Sequence, residues 1–185
     1  MAAFSALQKT GQSLLVPASG FCAFSWSTDS VLLRSMASPT PLLRVAPSGV
    51  HGVGAFAAQD IAAGTPLGLY AGRRFSAEQL AEADWNDRVT YLFGLSDGDT
   101  IDGAKGGNAT RHINHSCLPN CEAVEEHGRR GRLVLKIYSL IPVQAGDELF
   151  LDYGLVIDPG DTPSTYRCFC GSAGCRGTMV ATHVP

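Results

Sequence analysis

Three cysteines fall within eight residues in "CFCGSAGC", as Cys168, Cys170 and Cys175. Thiols this close constrain a fold strongly, because Cys168 and Cys170 cannot easily bridge each other. They resemble metal ligands more than disulfide partners. Zinc takes four tetrahedral ligands at about 2.3 Å from sulfur, so this run lacks one. Cys117, in "RHINHSCLPNC" at 111–121, is the natural candidate for the fourth. Gly171, Gly174 and Gly177 favour a tight wrap around an ion. The alternative is a loop-rich tail of free or disulfide-linked cysteines. A reduced-thiol zinc site favours an intracellular location.

The rest of the chain reads as short strands broken by turns. "RLVLKIYSL" alternates Leu133, Leu135 and Ile137 against Val134, Lys136 and Tyr138, the period of a half-buried strand. "AGDELFLDYG" follows, a turn at 145–147 leading into another strand, and "AGTPLGLYAG" at 63–72 echoes it. Ser76 with Gln79 forms a capping box ahead of Leu80, so a helix starts in "SAEQLAEADW". Many short strands and one short helix make the class mostly β.

Composition matters only for what it excludes. The 185 residues fit one domain, and a formal charge of −3 gives no global reason for nucleic-acid binding. No apolar run approaches the roughly 20 residues of a membrane helix. Residues 1–40 are rich in Ser and Ala, with Lys9, Asp29 and Arg34 their only charges. Without the charged start and long apolar middle of a secretory signal, they read as disordered, or as an extension ahead of a start at Met36.

From about residue 41 to 180 the chain resembles the SET-domain protein lysine methyltransferases. "GVHGVGAFAAQDIAAGTPLGLYAG", "GGNATRHINHSCLPNC", "GDELFLDYG" and "CFCGSAGC" occur in the family's order. The short frame looks like the compact stand-alone members, such as those in bacteria. The resemblance implies a SET domain over 41–157, with a variable insert at about 76–102, and a post-SET zinc segment over 164–180. It implies several small β-sheets with a pseudoknot, in which 111–121 passes beneath the loop near the last catalytic strand.

The same resemblance assigns chemistry to residues. The family moves a methyl group from S-adenosylmethionine to a lysine amine, an in-line displacement whose main requirement is alignment. It implies that His51, Gly52, Val53 and Gly54 contact the methionine part of the cofactor, with Tyr91 beside it. Asn114 and His115 would hold the adenosyl part, and Cys117 would leave the same loop for the zinc. Tyr153 would be the catalytic residue, its hydroxyl orienting the amine, and Tyr70 would line the lysine channel. Leu151 stands where the family often has Tyr or Phe, which implies a channel wide enough for di- or trimethylation. His112 also replaces a common Phe or Tyr and is read as structural, and Cys121 as a buried thiol. Arg73 follows Gly72 where the family commonly has Glu, which leaves that strand's polar contacts open.

Substrate choice is less legible. Glu78, Glu82, Asp84, Asp87, Asp97, Asp99 and Asp102 face only Arg88 over 76–102. They read as a solvated face, or as an acidic rim for a basic histone-like or ribosomal protein segment. No nucleic-acid or membrane partner is expected, and the chain is expected to be a monomer, cytoplasmic in a bacterium and otherwise nuclear or chromosomal. A catalytically silent peptide-binding relative and a zinc-stabilised interaction module are the competing readings.

Overall fold

The computed structural model describes residues 41–83 and 91–182, together with the backbone of residues 3–5. The expectations for residues 1–40 otherwise lie outside the described residues, as do Asp84, Asp87 and Arg88.

Among the described residues the strands form small sheets, as the mostly β expectation requires. β2 (Leu43–Pro47) and β3 (Val53–Ala57) make an antiparallel hairpin. β4 (Pro66–Leu69), β9 (Cys121–His127) and β10 (Leu133–Ser139) make an antiparallel sheet with β10 in the middle. β1 (Ala3–Ser5), β5 (Arg73–Phe75), β6 (Leu92–Gly94), β7 (Thr100–Asp102) and β12 (Leu155–Val156) form a third, in the order β12-β1-β6-β7-β5. β8 (Asn114–His115) and β11 (Phe150–Leu151) pair in parallel.

The core forms where these sheets meet. Along β10, Leu135 and Ile137 are fully buried while Lys136 and Tyr138 stay half-exposed, both bonded to Glu126. Each such aliphatic side chain contributes roughly 1.5–3 kcal/mol by leaving water. Between β5 and β6 lies α1 (Ala77–Glu82), whose capping box is formed: Gln79 N–H donates to Ser76 Oγ, and Ser76 N–H to Gln79 Oε1. No residue of α1 is fully buried, so the helix is an addition to the surface.

Two local contacts settle questions the sequence raised. A Cβ on Gly72 would come 2.3 Å from the Asp102 carbonyl oxygen, so the close approach of two backbones demands glycine there. Arg73 needs no acid, because its guanidinium stacks 4.7 Å from the Phe75 ring and its N–H donates to Lys105 O.

The parallel pairing of β8 with β11 positions everything that follows. Ser116 N–H donates to Leu151 O at 2.9 Å. Asn120 bonds twice across the same crossing, donating to Glu148 O and accepting from Phe150 N–H. A C-terminal hairpin then packs on β12. Met179 N–H donates to Tyr166 O and Cys168 N–H to Gly177 O, while Leu155 bonds Met179 and Ala181.

Candidate active site

A cavity of about 560 Å³ opens between β8, β11 and the C-terminal hairpin. That volume suits a small organic ligand. His51, Gly52, Val53, Tyr70, Tyr91, Asn114, His115, Leu151 and Tyr153 all line it. Gly54 does not. It lies behind the wall, where a Cβ would overlap the Glu148 carboxylate at 2.2 Å.

Glu148 and Asn114 together fix the loop that joins β2 to β3. The loop turns at Gly52, whose φ of 48° is left-handed and favours glycine. Asn114 Nδ2 donates to His51 O, Val53 O and Glu148 Oε1 at 2.9–3.3 Å. Ser48 Oγ donates to the other Glu148 oxygen. The Asn114 amide therefore clamps the protein's own loop, and only its Oδ1 is left to accept from a ligand.

His115 connects two sites. Its Nδ1 accepts from Tyr153 N–H at 3.1 Å, which puts the proton of the neutral ring on Nε2. Nε2 lies 3.5 Å from Cys117 Sγ and can donate to it. Burial pushes the imidazole down to about 4, with Asp152 opposing and Arg176 adding to the depression. The ring is thus neutral at pH 7.

Two tyrosines, just after β4 and just after β11, line the same cavity. Tyr153 donates to Ile113 O at 2.9 Å and Tyr70 to Tyr91 O at 2.8 Å. Burial raises both phenols well above their usual range, and charge on neighbouring tyrosines adds to this. Both are neutral, and both keep oxygen lone pairs after spending their proton on the backbone. Gly103 leaves room for one of them, since a Cβ there would come 2.9 Å from the Tyr70 hydroxyl.

The four expected cysteines come together. The sulfurs of Cys117, Cys168, Cys170 and Cys175 lie within 4.8 Å of one another, and Cys117 and Cys168 are 3.7 Å apart. A tetrahedron with sulfur at about 2.3 Å from zinc has edges of about 3.8 Å. All four are free thiols. Backbone N–H groups of Arg176, Cys170 and Gly177 point at Cys117, Cys168 and Cys175 sulfurs, each at 3.4 Å. Donors aimed at sulfur suit thiolates, so the set fits a tetrahedral soft cation. Cys121 takes no part; it is buried, and burial pushes its thiol up to about 12.

Several wall residues carried no sequence signal of their own. Arg111, Tyr166, Phe169 and Met179 line the cavity. Tyr166 and Phe169 alternate with Arg167 and the cysteines in "YRCFC", and that aromatic interleaving is the one pattern that could have pointed to them. Arg176 ties their segment to β11 through a two-pronged ion pair with Asp152 at 2.6 and 2.7 Å.

The acidic face is smaller than its sequence indicated. Asp102 is buried and accepts from Ala104 N–H, closing a turn. Asp97 and Asp99 both pair with Arg74, at 3.0 and 2.7 Å. Glu78 and Glu82 on α1 pair with no cation among the described residues.

Comparison with known proteins covers the same residues. The family model for the SET domain matches residues 52–154. A Candida albicans protein named "Histone-lysine N-methyltransferase, H3 lysine-4 specific" is 32% identical over 160 residues, covering 82% of this chain and 15% of that protein. The Drosophila melanogaster "Histone-lysine N-methyltransferase SETD1" is 34% identical over 146 residues, 74% of this chain and 8% of its own length. The chain therefore spans a small part of the relatives it matches. A solved structure titled "ctPRC2 in an autoinhibited conformation bound to S-adenosylmethionine" superposes with a TM-score of 0.56 at 29% identity, over 62% of this chain and 15% of that one. An active polycomb repressive complex 2 in the stimulated state gives 0.54 at 30% identity, over 60% and 15%.

Proposed function

This chain belongs to the SET-domain family, and from that premise we propose that it is an S-adenosylmethionine-dependent protein-lysine N-methyltransferase with a structural zinc ion. The observation that carries the proposal is one cavity in which a clamped glycine loop, two neutral tyrosine hydroxyls and apolar walls converge. When bound, S-adenosylmethionine supplies a methyl group on a cationic sulfonium.

The chain's residues do the rest. Asn114 holds the 51–54 loop and offers Oδ1 to the ligand. Arg111 brings a cation to the cavity wall, where a ligand carboxylate would be held. Phe93, Ile113, Leu151 and Leu155 make a dry passage that disfavours the ammonium form of a lysine, so the amine enters neutral. Tyr153 then accepts from an amine N–H and turns the lone pair along the line of displacement, while Tyr70 lines the channel beside it. No residue needs to act as a nucleophile. The four cysteines hold zinc, and the zinc holds the hairpin that closes the cavity.

For the substrate we propose a lysine in a basic, histone-like protein segment, with a ribosomal protein as the other source of that chemistry. The names of the relatives support the histone. A histone substrate would put the chain inside the cell, with chromatin. Their fungal and insect origins give the bacterial expectation no support.

Calorimetric titration with S-adenosylmethionine, followed by labelled cofactor with core histones and with ribosomal proteins, tests the reading. Binding and label on lysine are expected. Absence of both leaves a zinc-stabilised interaction module as the better description; binding without transfer leaves a silent relative.

A further inference from the structure

Arg111 and His112 form a pair whose geometry the resemblance does not account for. Arg111 Nε–H donates to His112 Nε2 at 3.0 Å, and Nη1 donates to Gly103 O at 3.1 Å. The guanidinium carbon lies 5.5 Å from the Tyr91 ring centre, and the His112 ring meets the same tyrosine edge-on at 5.9 Å. Two glycines make the slot: a Cβ on Gly107 would come 3.1 Å from Arg111 Cδ, and one on Gly103 3.2 Å from Arg111 Cβ. The side chain is thus held along its length.

What this arrangement leaves over is specific. Nη2 of Arg111 makes no hydrogen bond among the described residues, and no carboxylate there pairs with it. Asp152, the one acid lining the cavity among the described residues, is spent on Arg176, and the cavity's other guanidinium, Arg167, lies 5.3 Å over the Phe169 ring. A held guanidinium with a free edge on an otherwise largely apolar cavity calls for an anion. Because Nε2 of His112 accepts from Arg111, the neutral ring carries its proton on Nδ1. Burial and the adjoining Arg111 charge hold His112 below its usual range, so it stays an acceptor at neutral pH. A Phe or Tyr ring in this place has no ring nitrogen to offer.

We infer that His112 is a positioning residue, which fixes the Arg111 guanidinium so that its free Nη2 receives the carboxylate of the bound cofactor. The inference rests on the proposed cofactor. It assigns His112 a role in ligand affinity that an aromatic hydrocarbon there could not fill.

Calorimetry with two non-reacting ligands tests it. S-Adenosylhomocysteine carries the carboxylate, and methylthioadenosine lacks it. His112→Phe and His112→Ala should weaken the first by about tenfold, the size of one hydrogen bond to a charged group, and leave the second unchanged. His112→Gln, whose amide oxygen can accept from Nε–H, should restore most of the loss. Equal loss for both ligands would make His112 merely structural and overturn the inference, as would no loss for either. Wild-type protein that binds neither ligand would sink the cofactor reading itself, and the inference with it.

Discussion

The two walls of the cavity are built by different physics. The inner wall, residues 111–115 and 149–153, is anchored in the core: Ile113, Leu149 and Leu151 are at most 5% exposed, and the β8–β11 pairing runs through it. The outer wall, residues 166–179, has little core of its own; Phe169 is 64% exposed and Cys175 is exposed. Four cysteines, a short hairpin and the Arg176–Asp152 pair hold it instead. The first wall survives on apolar burial, while the second depends on the cysteine cluster and the zinc proposed for it. Damage to each should therefore look different.

The sharpest way to break this contrast is to remove one of the proposed zinc ligands. Cys170→Ser should lose most of the metal, expose 164–180 to protease and abolish most methyl transfer. The loss should exceed the roughly 10–100-fold typical of deleting an outer partner of a metal ligand. The β-sheet signal in circular dichroism should change little, because none of β2–β11 depends on the cysteine cluster for its pairing. Full zinc content in the purified variant would count against the ligand assignment, and global unfolding would erase the contrast between the walls.

Tyr153→Phe probes the inner wall by deleting one oxygen. Methyl transfer should fall by roughly 100–1,000-fold, the usual size for one lost transition-state donor or acceptor. Cofactor affinity should hold within about twofold. Stability should drop by about 1–2 kcal/mol, since Ile113 O loses its partner in a buried place. Unchanged single-turnover rates would take Tyr153 out of the chemistry.

Around the inner wall, the regular elements were legible in the sequence. Strand period two found β10, and a capping box found α1. The paired "AGTPLGLYAG" and "AGDELFLDYG" were half informative. Gly64 and Gly146 both turn with positive φ, at 75° and 99°, so the shared turn is real. The strands after them diverge, since β4 pairs antiparallel with β10 and β11 pairs parallel with β8. A ten-residue pattern carries turn chemistry but not the identity of a distant partner. The same limit hid Asp102, whose carboxylate closes a buried turn, and Gly54, which yields to a carboxylate 94 residues away in sequence. Cysteine spacing made the four-cysteine cluster readable. It could not tell that Tyr166 and Phe169, beside and between those cysteines, would face a ligand cavity, because that depends on where the hairpin docks.

The link between the walls makes the next test. Arg176→Ala should loosen the outer wall without removing zinc, raising protease sensitivity of 164–180 and lowering transfer by a few-fold. Burial alone would raise the Asp152 carboxyl, but hydrogen bonds and charge from Arg176 outweigh it and hold it below the usual carboxylate range. A depressed carboxyl contributes stability above its unfolded value of about 3.9 and loses it as pH falls further. The contribution of the Asp152–Arg176 pair should thus persist in the wild-type hairpin until the pH drops below about 4, while the variant lacks it already at neutral pH. Equal sensitivity at neutral pH would mean the cysteines hold the outer wall alone.

The smallest expected effect concerns only the shape of the inner wall. Leu151 is 5% exposed and lines the same cavity as Tyr70 and Tyr153. A mono-methylated amine must turn and dock again before it accepts a second methyl. Leucine offers no hydroxyl to hold a water in the space that the first methyl needs. Tyr70 could narrow the passage independently, but its hydroxyl is drawn aside to Tyr91 O, into room that Gly103 leaves open. Wild-type enzyme should therefore go on to di- or trimethyl product, and Leu151→Tyr should stop mainly at one methyl. Zinc content and the protease resistance of 164–180 should not change, since the substitution touches only the wall that the core supports. Mass spectrometry of a peptide at saturating cofactor reads the product directly: wild-type protein that halts at one methyl, even with excess enzyme, removes Leu151 from control of product state.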